Sequence, residues 1–568
     1  MKKTIQKNLL LAVLASLSWM SSQAQPLEWG GRFGGIGEDV VRKLYVDPAG
    51  NSYTTGYFTD NADFDITSGQ QMATSNGFFD VFVQKTGPDG NLAWVKSFGS
   101  MSPEYGTGIT ADAQGNVYVT GVFDTDTDFD PGTGTHILSS NGQQDIFLVK
   151  LDAAGNFSWA GNVGGGAYDE STSVGVDGAG NIYLSGYFND TADFNPGPGT
   201  FEMTAAGMND NFVAKFSASG ELIWAKQYGS AEFEAALAMQ VTAAGDQYIT
   251  GFYNGTADFD PGAGVFEMTA SASSNTGFLL KLNNAGDFQL ARSFAGTENV
   301  ISYDIDLDAS GNIYLAGNFA GTIDLDPGAG STTFTSVQYN GFVVKLNTAA
   351  DFVWGKTIAS AESVIPYTVD VNTFGYVMTS GFIETNTDFD PDPVDVFELA
   401  LSSGNAMGAF ISILDGNGDF VNALEFGGCN FADYHGAYTD ADNNIYVAGA
   451  FETTVDLNPA SLVTQTVAAM DFRDNYLLKL ESIVFVSIPE TEKEAGLSLF
   501  PNPAGNVTVL QVNSALIGET YNIYDHTGRI ATTGRIESEV TSLDVSTLSK
   551  GLYVLHLQNG ARLKFAKS

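Results

Sequence analysis

The sequence predicts an all-β protein whose larger part is a seven-bladed β-propeller closed by its amino-terminal strand. Three observations predict it. A short aromatic and glycine-bearing segment recurs seven times at a spacing of about 65 residues. Each repeat reads as four short strands separated by turn residues. The seventh repeat stops one strand early, while a matching single strand precedes the first.

The chain opens with Lys2, Lys3 and Lys7, the apolar run "LLLAVLASL" and the small-residue stretch "SSQAQ". These are the three parts of a secretory signal peptide, expected over residues 1–24 and too short to span a bilayer. The repeats occupy 25–480. "GNSYTTGYF" at Gly50 recurs as "GNVYVTGVF" at Gly115, "GNIYLSGYF" at Gly180, "GDQYITGFY" at Gly245, "GNIYLAGNF" at Gly311, "FGYVMTSGF" at Phe374 and "NNIYVAGAF" at Asn443. An inner strand such as "STSVGVD" precedes each, and strands such as "NFVAKF" and "LIWAKQYG" follow. A Trp recurs in the fourth strand at Trp94, Trp159, Trp224 and Trp354, with Leu290 and Asn422 in the remaining copies. One aromatic at a fixed strand position should pack between adjacent sheets. Trp29 in "LEWGGRFGG" lies 65 residues before Trp94, so the front strand should complete the last sheet and leave no open edge.

Charge narrows the partners. Residues 26–480 hold 57 acids against 14 bases, which disfavours nucleic acid and anionic membranes and leaves cations, neutral glycans and basic protein surfaces. Cys429 is alone, so stability must come from packing rather than a disulfide.

The acidic loops pose a choice. Seven places after the second Gly of each segment stand Asp63, Asp128, Asp193, Asp258, Asp324, Asp388 and Asp456, and two further on Asp65, Asp130, Asn195, Asp260, Asp326, Asp390 and Asn458. An apolar residue always lies between them. One reading buries that residue and uses the flanking side chains to cap backbone N–H groups. The other binds Ca²⁺ through oxygens two residues apart, with Asp124, Asp126, Asp128 and Asp130 as the candidate ligands. An EF-hand is excluded, because Phe129 stands where that loop requires Gly. No other cofactor is indicated.

Strand direction puts the long acidic connections on one face and the tight Gly turns on the other. Glu38, Glu104, Glu170, Glu234 and Asp433 precede inner strands and read as solvated acids or as a channel rim. Lys85, Lys150, Lys215, Lys281, Lys345 and Lys479 repeat in the third strand, with Ile413 in the sixth copy, and read as structural ion-pair partners. The mature chain has four histidines but no HExxH segment, GxSxG elbow or phosphate-binding Gly loop.

With "GVDGAGNIYLSGYF" and "DNFVAKF", the repeats resemble the bacterial SBBP-type β-propeller repeat, which implies architecture and little about activity. After a polar linker at 481–496 the charge balance changes: residues 497–568 hold five acids and six bases. "LSLFPNP", "YNIYDHTGR", "LDVSTLSKGLYVLHL" and "LKFAKS" resemble the type A C-terminal sorting domain of the type IX secretion system. The matching positions are Pro501, Asn502, Pro503, Asp525, Gly528, Arg529, Gly551, Tyr553, Lys564 and Lys567. The resemblance implies an Ig-like β-sandwich, a Gram-negative bacterium of the Bacteroidetes kind, and export that leaves the protein secreted or on the outer surface. The type IX machinery is the implied partner. The expected function is a non-catalytic protein- or glycan-binding scaffold; the alternative is an extracellular polysaccharide-acting hydrolase or lyase using the acidic loops.

Overall fold

The computed structural model describes residues 27–271, 274–392, 396–401, 406–429, 435–459, 465–481, 498–500, 507–524, 530–546, 548, 551–557 and 562–567. The expected signal peptide, Asp433, most of the linker, and Pro501, Asn502, Pro503, Asp525, Gly528 and Arg529 lie outside the described residues. Two compact units divide the chain, Met1–Ser482 and Ile483–Ser568.

The first unit is a seven-bladed propeller of antiparallel four-stranded sheets. Blade one comprises Val40–Val46, Ser52–Phe58, Asp80–Thr86 and Leu92–Phe98. Blade seven comprises His435–Thr439, Ile445–Phe451 and Asp474–Leu480, and Leu27–Gly35 supplies its fourth strand, with Trp29 opposite Lys479 and Arg32 opposite Tyr476. The front of the chain therefore closes the ring. Second strands such as Ser52–Phe58 are buried along their whole length, because both sheet faces meet a neighbouring blade, and their near-continuous apolar and β-branched composition suits that setting.

Neighbouring blades are joined twice. On the long-loop side, several fourth strands end by pairing with the acidic segment of the following blade: Gly34 with Asp63, Gly164 with Asp193, Gly229 with Asp258 and Ala359 with Asp388. The apolar residue between the two acidic positions then enters the interblade core, where Phe64, Phe129, Phe194, Phe259, Leu325, Phe389 and Leu457 are all buried. Each buried ring stabilises by roughly 1.5–3 kcal/mol.

On the tight-turn side the tryptophans act as clamps. The indoles of Trp29, Trp94, Trp159 and Trp354 donate to Pro88, Ala153, Ala218 and Gly416 carbonyls in the next blade. The turn glycines Gly90, Gly155, Gly220, Gly286 and Gly418 have positive φ, and a Cβ there would press on the indole of the preceding blade. Where Leu290 replaces Trp, the turn position is Ala350, also at positive φ and packed in the same core cluster as Leu290. The smaller side chain leaves room for the methyl. Asn422 would face a third-to-fourth-strand turn in blade seven that does not exist, because those two strands belong to opposite ends of the chain.

The second unit has two antiparallel sheets. One orders Ser498–Phe500, Val507–Gln511 and Val540–Asp544; the other orders Ile530–Arg535, Thr520–Tyr524, Gly551–Leu557 and Arg562–Lys567. Leu510, Leu516, Ile523, Leu543 and Leu555 form one core with Tyr553. Gly551 and Tyr553 open the strand that pairs with the one carrying Lys564 and Lys567, Gly551 lying opposite Lys567.

The Trp and turn-Gly pairing is testable by a double-mutant cycle in chemical denaturation. Leu290→Trp alone should destabilise by ~1–3 kcal/mol through overpacking against Ala350. Adding Ala350→Gly should recover much of that loss, with a coupling of about 1 kcal/mol; additive effects would show that the two positions do not interact.

Candidate functional site

The acidic segments are turns in every blade. The first Asp accepts two backbone N–H groups through Oδ1: Asp63 from Asp65 and Gln71, Asp128 from Asp130 and His136 at 3.1 and 2.8 Å, and Asp193, Asp258, Asp324, Asp388 and Asp456 likewise. The second position caps the residue two on, as Asp130 does for Gly132 and Asn195 for Gly197. An amide oxygen serves this second role as well as a carboxylate. Asp124 and Asp126 take no part in these caps. Among the described residues, no group of three or more His, Cys, Asp or Glu side chains is arranged to hold a metal ion.

The repeated lysines have a partner other than the expected one. Their ammonium groups lie over the second-strand tyrosine rings: Lys85 over Tyr53, Lys150 over Tyr118, Lys215 over Tyr183, Lys281 over Tyr248, Lys345 over Tyr314 and Lys479 over Tyr446, at 4.8–5.5 Å from the centroids. Lys215 and Lys479 add ion pairs to Asp177 and Glu28. In five blades the tyrosine hydroxyl donates to a turn aspartate, for example Tyr118 to Asp112 at 3.0 Å. In blade six Ile413 stands opposite Met378, so cation and ring are lost together. This marks a cation–π unit, worth roughly 0.5–1 kcal/mol where exposed.

The long-loop face holds acids of a different kind from the solvated rim expected. Glu104 and Glu234 are fully buried, because they equip the same junction position as Asp39 and Asp169. Each accepts the N–H four residues earlier, Ser100 and Ser230 for the glutamates and Gly35 and Gly165 for the aspartates, at 2.6–2.9 Å. Burial pushes Asp39, Glu104 and Asp169 up to about 7 and Glu234 to about 8. Glu38 and Glu170, one residue away from that position, instead accept the hydroxyls of Tyr57 and Tyr187. The connections on this face expose Ile36, Phe78, Met101, Tyr168, Met208 and Phe472. Three arginines lie in blades one and seven: Arg32 pairs with Asp474 and Arg473 with Glu38 and Glu452, while the Arg42 guanidinium sits over the rings of Tyr57 and Tyr105.

A cavity of about 380 Å³ runs between the inner strands, lined by Lys43, Gln240, Asp304, Asp306, Asp370 and Tyr438 among others. No motif common to all the repeats marked these acids: Asp306 and Asp370 share one position in blades five and six, and Asp304 stands alone. Asp304 accepts the Val369 N–H, Asp306 accepts the Val371 N–H and the Gln240 amide, and Asp370 accepts the Thr439 hydroxyl. They thus strut adjacent inner strands that share no backbone ladder. Burial raises all three carboxyls, Asp306 to about 7, while the Lys43 charge works against the rise at Asp304.

Residues 498–568 match the family described as secretion system C-terminal sorting domain. The chain ends in a sorting domain. That domain belongs to type IX secretion and indicates a secreted or outer-surface protein of Bacteroidetes-type bacteria, with the secretion machinery as a partner. No described helix is long and apolar enough to cross a membrane. Upstream of the sorting domain the likenesses are partial. An uncharacterized WD repeat-containing protein, L264, of Acanthamoeba polyphaga mimivirus is 24% identical over 233 residues, 37% of this chain and 17% of its own length. The regulatory protein FlaEY of Caulobacter vibrioides is 24% identical over 218 residues, 38% of this chain and 22% of its own. The chain thus spans about a fifth of the length of the curated relatives it matches. Among solved structures, PorZ, described as an essential bacterial surface component of the type-IX secretion system of Porphyromonas gingivalis, aligns over 94% of this chain and 70% of its own at 9% identity, with a TM-score of 0.28.

The turn assignment of the acidic loops predicts opposite outcomes for neighbouring substitutions in thermal denaturation. Asp130→Asn should leave Tm nearly unchanged, as Asn195 and Asn458 occupy that place elsewhere. Asp128→Ala removes the acceptor of two N–H groups and should cost about 1–3 kcal/mol.

Proposed function

We propose that this is a non-catalytic propeller, exported through its sorting domain, that binds an extracellular protein or glycan with its long-loop face. The observation that carries the reading is the exposed apolar set on that face. Met101 and Phe472 are 82% and 70% exposed, and Ile36, Phe78, Tyr168 and Met208 accompany them as exposed side chains on the connections of that face. The junction acids of the same face already accept the hydrogen bonds of their own loops, which leaves them architectural rather than poised over a substrate. In this reading the acidic loops act as turns without a bound cation.

The test uses the purified full chain on a glycan array, together with a screen of polysaccharide substrates for turnover. Saturable glycan binding that falls at least tenfold in a Phe78→Ser, Phe472→Ser variant of unchanged Tm is the expected result. Turnover of any polysaccharide would overturn the non-catalytic assignment, and binding untouched by the variant would remove the face assignment.

A further inference from the structure

Four blade junctions on the long-loop side each bury two carboxyl groups, one from the first-strand approach and one from the start of the preceding blade's third strand. They are Asp39 with Asp474, Glu104 with Asp80, Asp169 with Asp145, and Glu234 with Asp210. Space for them comes from Gly34, Gly99, Gly164 and Gly229. A Cβ at Gly34 would collide with Asp474 Oδ1 and lie 2.9 Å from Asp39 Oδ2; one at Gly164 would lie 2.6 Å from Asp145 Oδ1. The next two junctions carry no carboxyl group at either position: Thr276 with Val300, then Asn340 with Val364, and there Ala295 and Ala359 take the glycine's place. At the first of these the Thr276 hydroxyl accepts the Ser271 N–H at 3.1 Å, and at the second Asn340 Oδ1 accepts the Ser360 N–H at 3.3 Å. Uncharged oxygens, a hydroxyl and an amide, accept loop N–H groups there, so the junction requires acceptors and does not require two charges.

Two of the pairs leave an oxygen without a partner in the fully buried interior: Asp145 Oδ1 and Asp474 Oδ1. The other oxygens are occupied. Asp145 Oδ2 accepts from Asn141 and Asn162, and Asp169 accepts from Gly165 and Asn189. Asp474 Oδ2 accepts from Met470 and Arg32, and Asp39 accepts from Gly35 and Thr59. An unpartnered buried carboxylate oxygen costs several kcal/mol, and two neighbouring carboxylates in one dry site cannot both ionise cheaply. A proton on the orphan oxygen removes both penalties. A calcium ion demands six to eight oxygens, and no third carboxylate, His or Cys completes a metal group among the described residues.

We propose that Asp145 with Asp169, and Asp474 with Asp39, each retain one proton per pair, which locks two blade junctions, one of them the ring closure, in mildly acidic surroundings and loosens them in alkaline ones. The charges facing the first pair are acidic, from Asp190; the second faces Arg32, while the Arg473 nearby is paired with Glu38 and Glu452. Burial places Asp169 and Asp39 at about 7 and Asp145 at about 6, against an ordinary 3.8, and raises Asp474 as well. The folded chain therefore keeps protons that the unfolded chain releases, and stability falls as pH climbs from about 4 through about 7.

Thermal unfolding of the full chain at pH 5 and pH 8, with and without calcium, tests this against Asp145→Asn. The expected result is a wild-type Tm several degrees lower at pH 8, a smaller pH difference in the variant, and an infrared carboxylic-acid carbonyl band in the wild type at pH 5 that weakens at pH 8. An equal Tm loss in the variant at both pH values would overturn the proposal. So would calcium restoring the wild-type Tm at pH 8, which would reveal a cation site. Should the variant fail to fold, absence of the carbonyl band in the wild type at pH 5 would overturn it alone.

Discussion

Closure of the ring is the constraint on which the rest of the propeller depends. Seven wedge-shaped sheets bury both faces only if the last meets the first, and the strand that makes this meeting possible is Leu27–Gly35, paired along Asp474–Leu480. Without it the interiors of blades seven and one would face water, including Phe33, Phe58, Phe64 and Phe82 of one shared cluster. The cost would run to several kcal/mol for those rings alone, comparable with the whole stability of many domains.

Within the closed ring the interactions come in reciprocal units that change together. Trp faces Gly, whereas Leu290 faces Ala350. Lys faces Tyr, whereas Ile413 faces Met378. Carboxyl pairs sit on Gly, whereas Thr276 and Val300 accompany Ala295. Each substitution conserves volume or hydrogen-bond capacity at a blade junction, as close packing requires. The inner strands follow a different rule. They carry no ladder between blades, so Asp304, Asp306, Asp370 and Thr172 reach across individually.

The repeat period made most of the architecture legible. A strand missing at one end and surplus at the other fixed the closure, and alternating Asp, Phe and Asp identified the turns. What the period hid is equally physical. Glu38 and Asp39 are adjacent acids, and nothing in their order says that the second is buried while the first meets a tyrosine hydroxyl; the register becomes visible only against Glu104 and Glu234. The lysines looked like ion-pair partners because acids are abundant, yet Tyr53 and its equivalents stand directly opposite them in the ladder. The channel acids recur in two blades at most, Asp306 and Asp370 at one position, too seldom for repetition to flag them. The exposed rim of Phe78, Met101 and Phe472 lies in connections whose sequences vary from blade to blade, and side chains there are read from coordinates rather than from pattern.

The position of Asp474–Leu480 has a mechanical meaning. This strand is the one from which the chain departs toward the sorting domain, and it is flanked on one side by Ile445–Phe451 and on the other by Leu27–Gly35. Tension arriving from beyond Leu480 is shared by two ladders at once instead of peeling a sheet edge open one rung at a time. A tether attached there would pull on a strand braced from both sides, and Leu27–Gly35 supplies half of that bracing.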